Sequence, residues 1–194
     1  DLGGISVVLN PAWADGPQWP VVQQAAPITI KPVASQKKVE RDFNVCVIFP
    51  DPQIGFRMYD DGEIDPFHDE QAMNVALKIA KDMKPDKIVN LGDYLDFAEF
   101  GKYEQEPAFA KTTQLALDAG HKFLCQQRAI APDAEMVLLE GNHDRRLQKA
   151  LTTNTAAALH IKRAELPEDW PVNSVPFLLR LDEPHLNVQY IGGY

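Results

Sequence analysis

The sequence predicts an α/β fold with a mainly parallel sheet, and three observations predict it. Short apolar runs at 45–49, 87–91 and 136–139 have the length and composition of buried strands. Stretches with apolar residues at helical spacing separate them. Each run ends in a loop bearing Asp or Asn beside Pro or Gly. Strand alternating with helix implies parallel pairing with helices packed on the sheet. In such a sheet, ligands bind beyond the carboxyl ends of the strands.

Residues 1–42 stand apart. Pro11, Pro17, Pro20, Pro27 and Pro32 break any helical period, with Trp13 and Trp19 among them. Such spacing predicts an extended arm or linker anchored by its tryptophans, and the polar Lys37, Lys38, Glu40 and Arg41 mark a hinge. The domain proper is expected over 43–194. Val45–Phe49 is its first strand, closed by Pro50-Asp51-Pro52. Asp65-Pro66 offers an N-cap followed by proline at the first helical position. Ala72, Val75, Ala76, Ile79 and Met83 then recur at helical spacing until Pro85. Lys87–Leu91 is the second strand, and a long helix fits Ala108 to about Ala129. Met136–Leu139 is the third strand, and a further helix starts near Asp144.

Composition limits the partners. At 194 residues with 45% hydrophobic and 24% charged side chains, the chain has the length of one domain and can bury an ordinary core. No run approaches the ~20 apolar residues of a membrane span, and no apolar run follows a basic start. A formal net charge of −9 argues against tight non-specific nucleic-acid binding, which needs a basic surplus, but allows a local basic patch. Cys46 and Cys125 form no disulfide framework and read as buried thiols in a reducing compartment, so a cytoplasmic location is expected. Asp1 in place of Met, and the closing Ile191-Gly-Gly-Tyr194, read as cut points in a longer chain.

The chemistry gathers at the three strand ends. Asp51-Pro52-Gln53, Gly92-Asp93-Tyr94-Leu95-Asp96 and Gly141-Asn142-His143-Asp144 follow the three strands. Asp93 lies 42 residues after Asp51 and Asn142 lies 49 after Asp93, each interval fitting one helix and one strand. Oxygen donors presented together by adjacent loops suit hard or borderline divalent cations. The glycines before Asp93 and Asn142 allow a sharp turn and a close approach of backbone. Arg145 and Arg146 can clamp phosphate or start a solvated helix face. Asp60, Asp61, Glu63 and Asp65 read as a solvated loop, His121 as structural, and Trp170 as packing a loop.

These motifs resemble the second and third signatures of the calcineurin-like metallophosphoesterases, and Asp51-x-Gln53 stands where that family has Asp-x-His. The resemblance spans about residues 43–150. It implies a sandwich of two sheets, with Val175–Leu181 and Leu186–Ile191 as strands that begin the second. It implies two divalent cations (Mn, Fe, Zn or Ni, with Mn favoured). Asp51 and Gln53 would bind the first, Asn142 the second, and Asp93 would bridge both. A metal-bound hydroxide would attack a phosphate mono- or diester, with nucleic acid or nucleotide as favoured substrate. His143 would face the phosphate and protonate the leaving oxygen or stabilise the transition state, Asp144 would hold its imidazole, and Asp96 would orient groups around the bridge. His68 could reach the vacancy left by Gln53, but is expected in the first turn of a helix, facing solvent or substrate.

The family completes its site with a later histidine and a Gly-His-x-His motif. Beyond Asp144 this chain has only His160, in an Ala-rich helical stretch, and His185, in a turn after Pro184. The resemblance therefore implies that the remaining ligands lie beyond Tyr194, and that the 194 residues alone bind metal weakly. A catalytically decayed module with a binding or structural role is the alternative.

Overall fold

Alternating apolar runs and helical segments set the chain order in the computed structural model. It describes residues 40–102, 107–109, 111–162, 164 and 170–192. The elements are β1 (Cys46–Pro50), β2 (Phe56–Met58), β3 (Ile64–Pro66), α1 (Glu70–Met83), β4 (Lys87–Leu91), α2 (Thr113–Ile130), β5 (Glu135–Leu139), α3 (Arg145–Asn154), α4 (Val175–Leu178) and β6 (Val188–Ile191). The Pro-rich arm with Trp13 and Trp19 lies outside the described residues.

Strands β1, β4, β5 and β6 form one sheet in that order, every pair parallel, with Phe49, Asn90, Leu138 and Tyr190 in register across it. The expected α/β class with a mainly parallel sheet is therefore present. The order steps always to the same side, and right-handed crossovers that do so keep their helices on one face. That face is the core. Phe49 meets Phe123 of α2 edge-on at 5.6 Å, and Ile88, Met136 and Leu138 are buried beside them. Asn90 and Gln127 pair their amides reciprocally at 2.9 Å, which satisfies two buried polar groups between β4 and α2. On the opposite face Ile48, Leu91 and Ile191 remain 54%, 51% and 47% exposed.

Several expectations are corrected. Cys46 is exposed, because it opens an edge strand on the side opposite α2; Cys125 is buried as expected. Asp65-Pro66 does not start α1 but ends β3, which pairs antiparallel with β2, and the acidic residues 60–65 form the exposed turn and second strand of that hairpin. The N-cap is Asp69, whose carboxylate accepts from the backbone N–H of Gln71 and Ala72 at 2.9 Å each. Helix α1 buries Met73, Ala76, Leu77 and Ala80 against the core and exposes Val75, Ile79 and Met83. The buried set and the expected set (Ala72, Val75, Ala76, Ile79 and Met83) both have helical spacing and share Ala76, so periodicity alone could not choose between adjacent faces.

Helix α2 starts at Thr113, not near Ala108. A 3-10 turn at Pro107–Phe109 precedes it, and the Thr112 hydroxyl bonds back to the Phe109 carbonyl at 3.0 Å. Val175–Leu178 is a helix rather than a strand, with Ser174 as N-cap and Pro176 in its first turn. Residues 188–191 do form a strand, but it extends the same parallel sheet instead of beginning a second one. Buried Arg128 guides that strand into place. Its guanidinium donates to the carbonyls of Leu186 and Asn187 at 3.0 Å each and to that of Ala134 at 2.7 Å. Trp170 packs against the core, as expected.

Candidate metal centre

The three strand-end loops are fastened to one another by backbone and carboxylate. Gln53 N–H donates to the Asp93 carbonyl at 2.9 Å, Ile54 N–H to Tyr94 at 3.0 Å, and Asp96 N–H to Ile54 at 3.0 Å. The first loop is thus paired with the second. Asp144 joins the second to the third: its buried carboxylate accepts from the N–H of Gly141 at 2.8 Å, Leu95 at 2.9 Å and Tyr94 at 3.2 Å. Burial raises the Asp144 pKa, and those three donors oppose the rise. Asp93 Oδ1 also accepts from His143 N–H at 2.8 Å.

Glycine makes this contact possible. A Cβ on Gly141 would fall 2.0 Å from the backbone nitrogen of Asp93, and Gly92 adopts φ +70° where it meets Gly141. Asp51, Gln53 and Asp93 have φ of 53°, 43° and 44°. Left-handed backbone costs a non-glycine residue of order 1–3 kcal/mol, and such strain collects where side chains must be aimed. Here it falls on three of the four expected metal ligands.

The result is a cavity of about 390 Å³ at the carboxyl ends of β1, β4 and β5, lined by Asp51, Asp93, Asn142 and Glu140 among others. Gln53 stands at its side and donates from its amide nitrogen to Asp51 Oδ1 at 2.9 Å, so its oxygen does not meet that carboxylate. Among the described residues no group of three or more His, Cys, Asp or Glu side chains is arranged to hold a metal. The donors left to face the cavity are the Asp51 and Asp93 carboxylates and the Asn142 amide, with the Gln53 amide alongside, since Glu140 is engaged by Arg145 and Tyr190. Oxygen donors of this kind fit a hard divalent cation, and a set this short predicts loose binding. Neither His160 nor His185 lines the cavity; both are exposed, and His185 lies 3.1 Å from Glu183.

His143 is held differently from the expectation. Its Nδ1 lies 2.9 Å from Asp96 Oδ1, so Asp96 rather than Asp144 orients the imidazole. Asp144 is committed to three backbone donors and has no such contact among its hydrogen bonds. The guanidinium of Arg146 lies 2.8 Å from His143 Nε2 and donates to the Asp96 carbonyl at 2.9 Å. Arginine can only donate, so Nε2 accepts here and Nδ1 carries the hydrogen toward Asp96. Arg145 is turned away and donates to Glu140 Oε2 at 2.6 Å, while Glu140 Oε1 accepts from the Tyr190 hydroxyl at 2.9 Å. Glu140 and the Arg146 contact were not singled out by sequence. Glu140 carries no motif signal beyond its place at the end of β5.

His68 is also corrected. It is buried just before α1, with Nδ1 3.1 Å from the Gly55 carbonyl and its ring edge-on to Phe56, so it props the first loop instead of facing solvent. His121 is structural as expected: Nδ1 lies 3.0 Å from the Leu179 carbonyl, and burial lowers its pKa. No protein-family model, curated protein or solved structure matches the chain.

Proposed function

We propose that the chain is a metal-dependent phosphoesterase of the calcineurin-like type, hydrolysing a phosphate mono- or diester. The observation that carries this reading is the meeting of Asp51, Asp93 and Asn142 around one cavity at three adjacent strand ends, with His143 anchored beside it. Asp51, Asp93 and Asn142 would hold divalent cations, joined by Gln53 once its amide turns its oxygen inward. Cations held there supply Lewis acidity and lower the pKa of water near neutrality. Arg146 binds the phosphoryl oxygens with its fork of N–H groups. In leaving His143 for the phosphate it frees Nε2 to take up a proton from solvent and pass it to the leaving oxygen, and Asp96 stabilises the charged ring.

A second reading, a binding module on a decayed site, is favoured by the orientation of Gln53 and the short donor set. Manganese-dependent hydrolysis of bis-p-nitrophenyl phosphate separates the two. The enzyme reading predicts turnover that falls by about 10²–10⁴ in kcat on His143→Ala with manganese binding retained. Since the resemblance implies further ligands beyond Tyr194 and the 194 residues alone can be inactive, absence of turnover with manganese in the longest form that carries this chain would favour the module.

A further inference from the structure

A larger cleft of about 810 Å³ adjoins the strand-end cavity and shares Asn142 with it. Helix α3 forms one part of its lining with Arg146 and Lys149, and the segment after β4 contributes Phe100 and Lys102. Among the described residues Glu99 is the one acidic side chain in this lining. Its carboxyl accepts from the Thr113 hydroxyl, and burial raises its pKa. The chain carries a net charge of −9, so a basic lining beside the candidate centre departs from the overall acidity.

We infer that this cleft binds a single-stranded nucleic acid, tracking its backbone away from the strand-end loops. The inference rests on the phosphoesterase reading for which phosphate is cut, but the binding stands on its own residues. Arg146 and Lys149 are three residues apart on α3, about 4.5 Å along the axis. Both side chains line the same cleft, where they can meet neighbouring phosphates of one strand. Phe100 is half-buried and backed edge-on by Phe97 at 5.6 Å, a ring held still enough to stack on a base. A row of cations with an aromatic platform matches a repeating phosphate chain better than the single phosphate of a phosphoprotein.

The test is fluorescence anisotropy on the 194-residue chain with labelled oligodeoxythymidylate of about 12 nucleotides, with and without manganese. Lys102 and Lys149 are exposed, so Lys102→Gln with Lys149→Gln leaves packing alone, which thermal melting verifies. The double variant is expected to bind about tenfold more weakly. Its log-affinity against log-salt slope is expected to be shallower by about 1.4, two contacts at ~0.7 each. Unchanged affinity and slope in the folded variant would overturn the proposal, as would tighter binding of a phosphoserine peptide than of the oligonucleotide. Bis-p-nitrophenyl phosphate hydrolysis is followed in parallel. Oligonucleotide binding weakened by the variant, without hydrolysis by the longest form that carries this chain, supports the cleft and removes the enzyme reading. Hydrolysis with oligonucleotide binding indifferent to the variant does the reverse.

Discussion

Asp96 and Asp144 stand near one another in the motifs, yet their surroundings give them separate tasks. Asp96 faces the His143 imidazole, whereas Asp144 is buried under three backbone N–H groups from two loops. Asp96→Asn is expected to lower kcat on bis-p-nitrophenyl phosphate by at least about tenfold with little change in Tm, because the charged ring loses its counter-ion. Asp144→Asn presents an NH2 where a carboxylate oxygen accepted. It is expected to cost roughly 1–3 kcal/mol, a fall in Tm of several degrees in a melting curve. The reverse pattern would restore the expected assignment of Asp144 to the imidazole. The motifs imply Asp144 for the His143 imidazole and Asp96 for the metal bridge, and only the folded loops put Asp96 on the imidazole. A spacing of three or two residues from a ligand does not say which way a turn points its side chain.

At the scale of elements, the strands were the most legible part. β1, β4 and β5 stand within a residue of the expected runs, since short, mainly apolar stretches bounded by Pro, Gly and Asp have few other ways to fold. Helix faces were less legible. Val75, Ile79 and Met83 keep the same period as the residues α1 buries, and the choice belongs to the tertiary contacts. Residues 175–181 have strand-like composition but begin with a serine cap and an early proline, and these local signals prevail. Position in the sheet also separates the two thiols. Cys46 is exposed at the start of β1, while Cys125 is buried in α2 with its pKa pushed up to about 11 by burial. Iodoacetamide at mildly alkaline pH is expected to label Cys46 in the native chain and both cysteines only after denaturation, as read by mass spectrometry. Rapid native labelling of Cys125 would contradict the packing of α2.

Across the described residues, the helices pack on one face of the sheet, and the candidate centre sits on the rim where three strands end. Buried His121 ties α2 to the segment before β6 through Leu179. Its pKa is lowered by burial, so the unfolded chain binds the extra proton first. Stability is therefore full above the ordinary histidine pKa of 6.5 and falls as the pH drops from there toward the depressed folded value. Melting curves of His121→Gln are expected to be flatter over that interval than those of the unaltered chain, at some loss of Tm. The central claim is that Asp51, Asp93 and Asn142 grip cations together, and manganese titration followed by electron paramagnetic resonance tests it most directly. The unaltered chain is expected to bind manganese weakly and saturably, and Asp93→Asn to bind none. Equal binding by both proteins, or none by the unaltered chain, would contradict the claim.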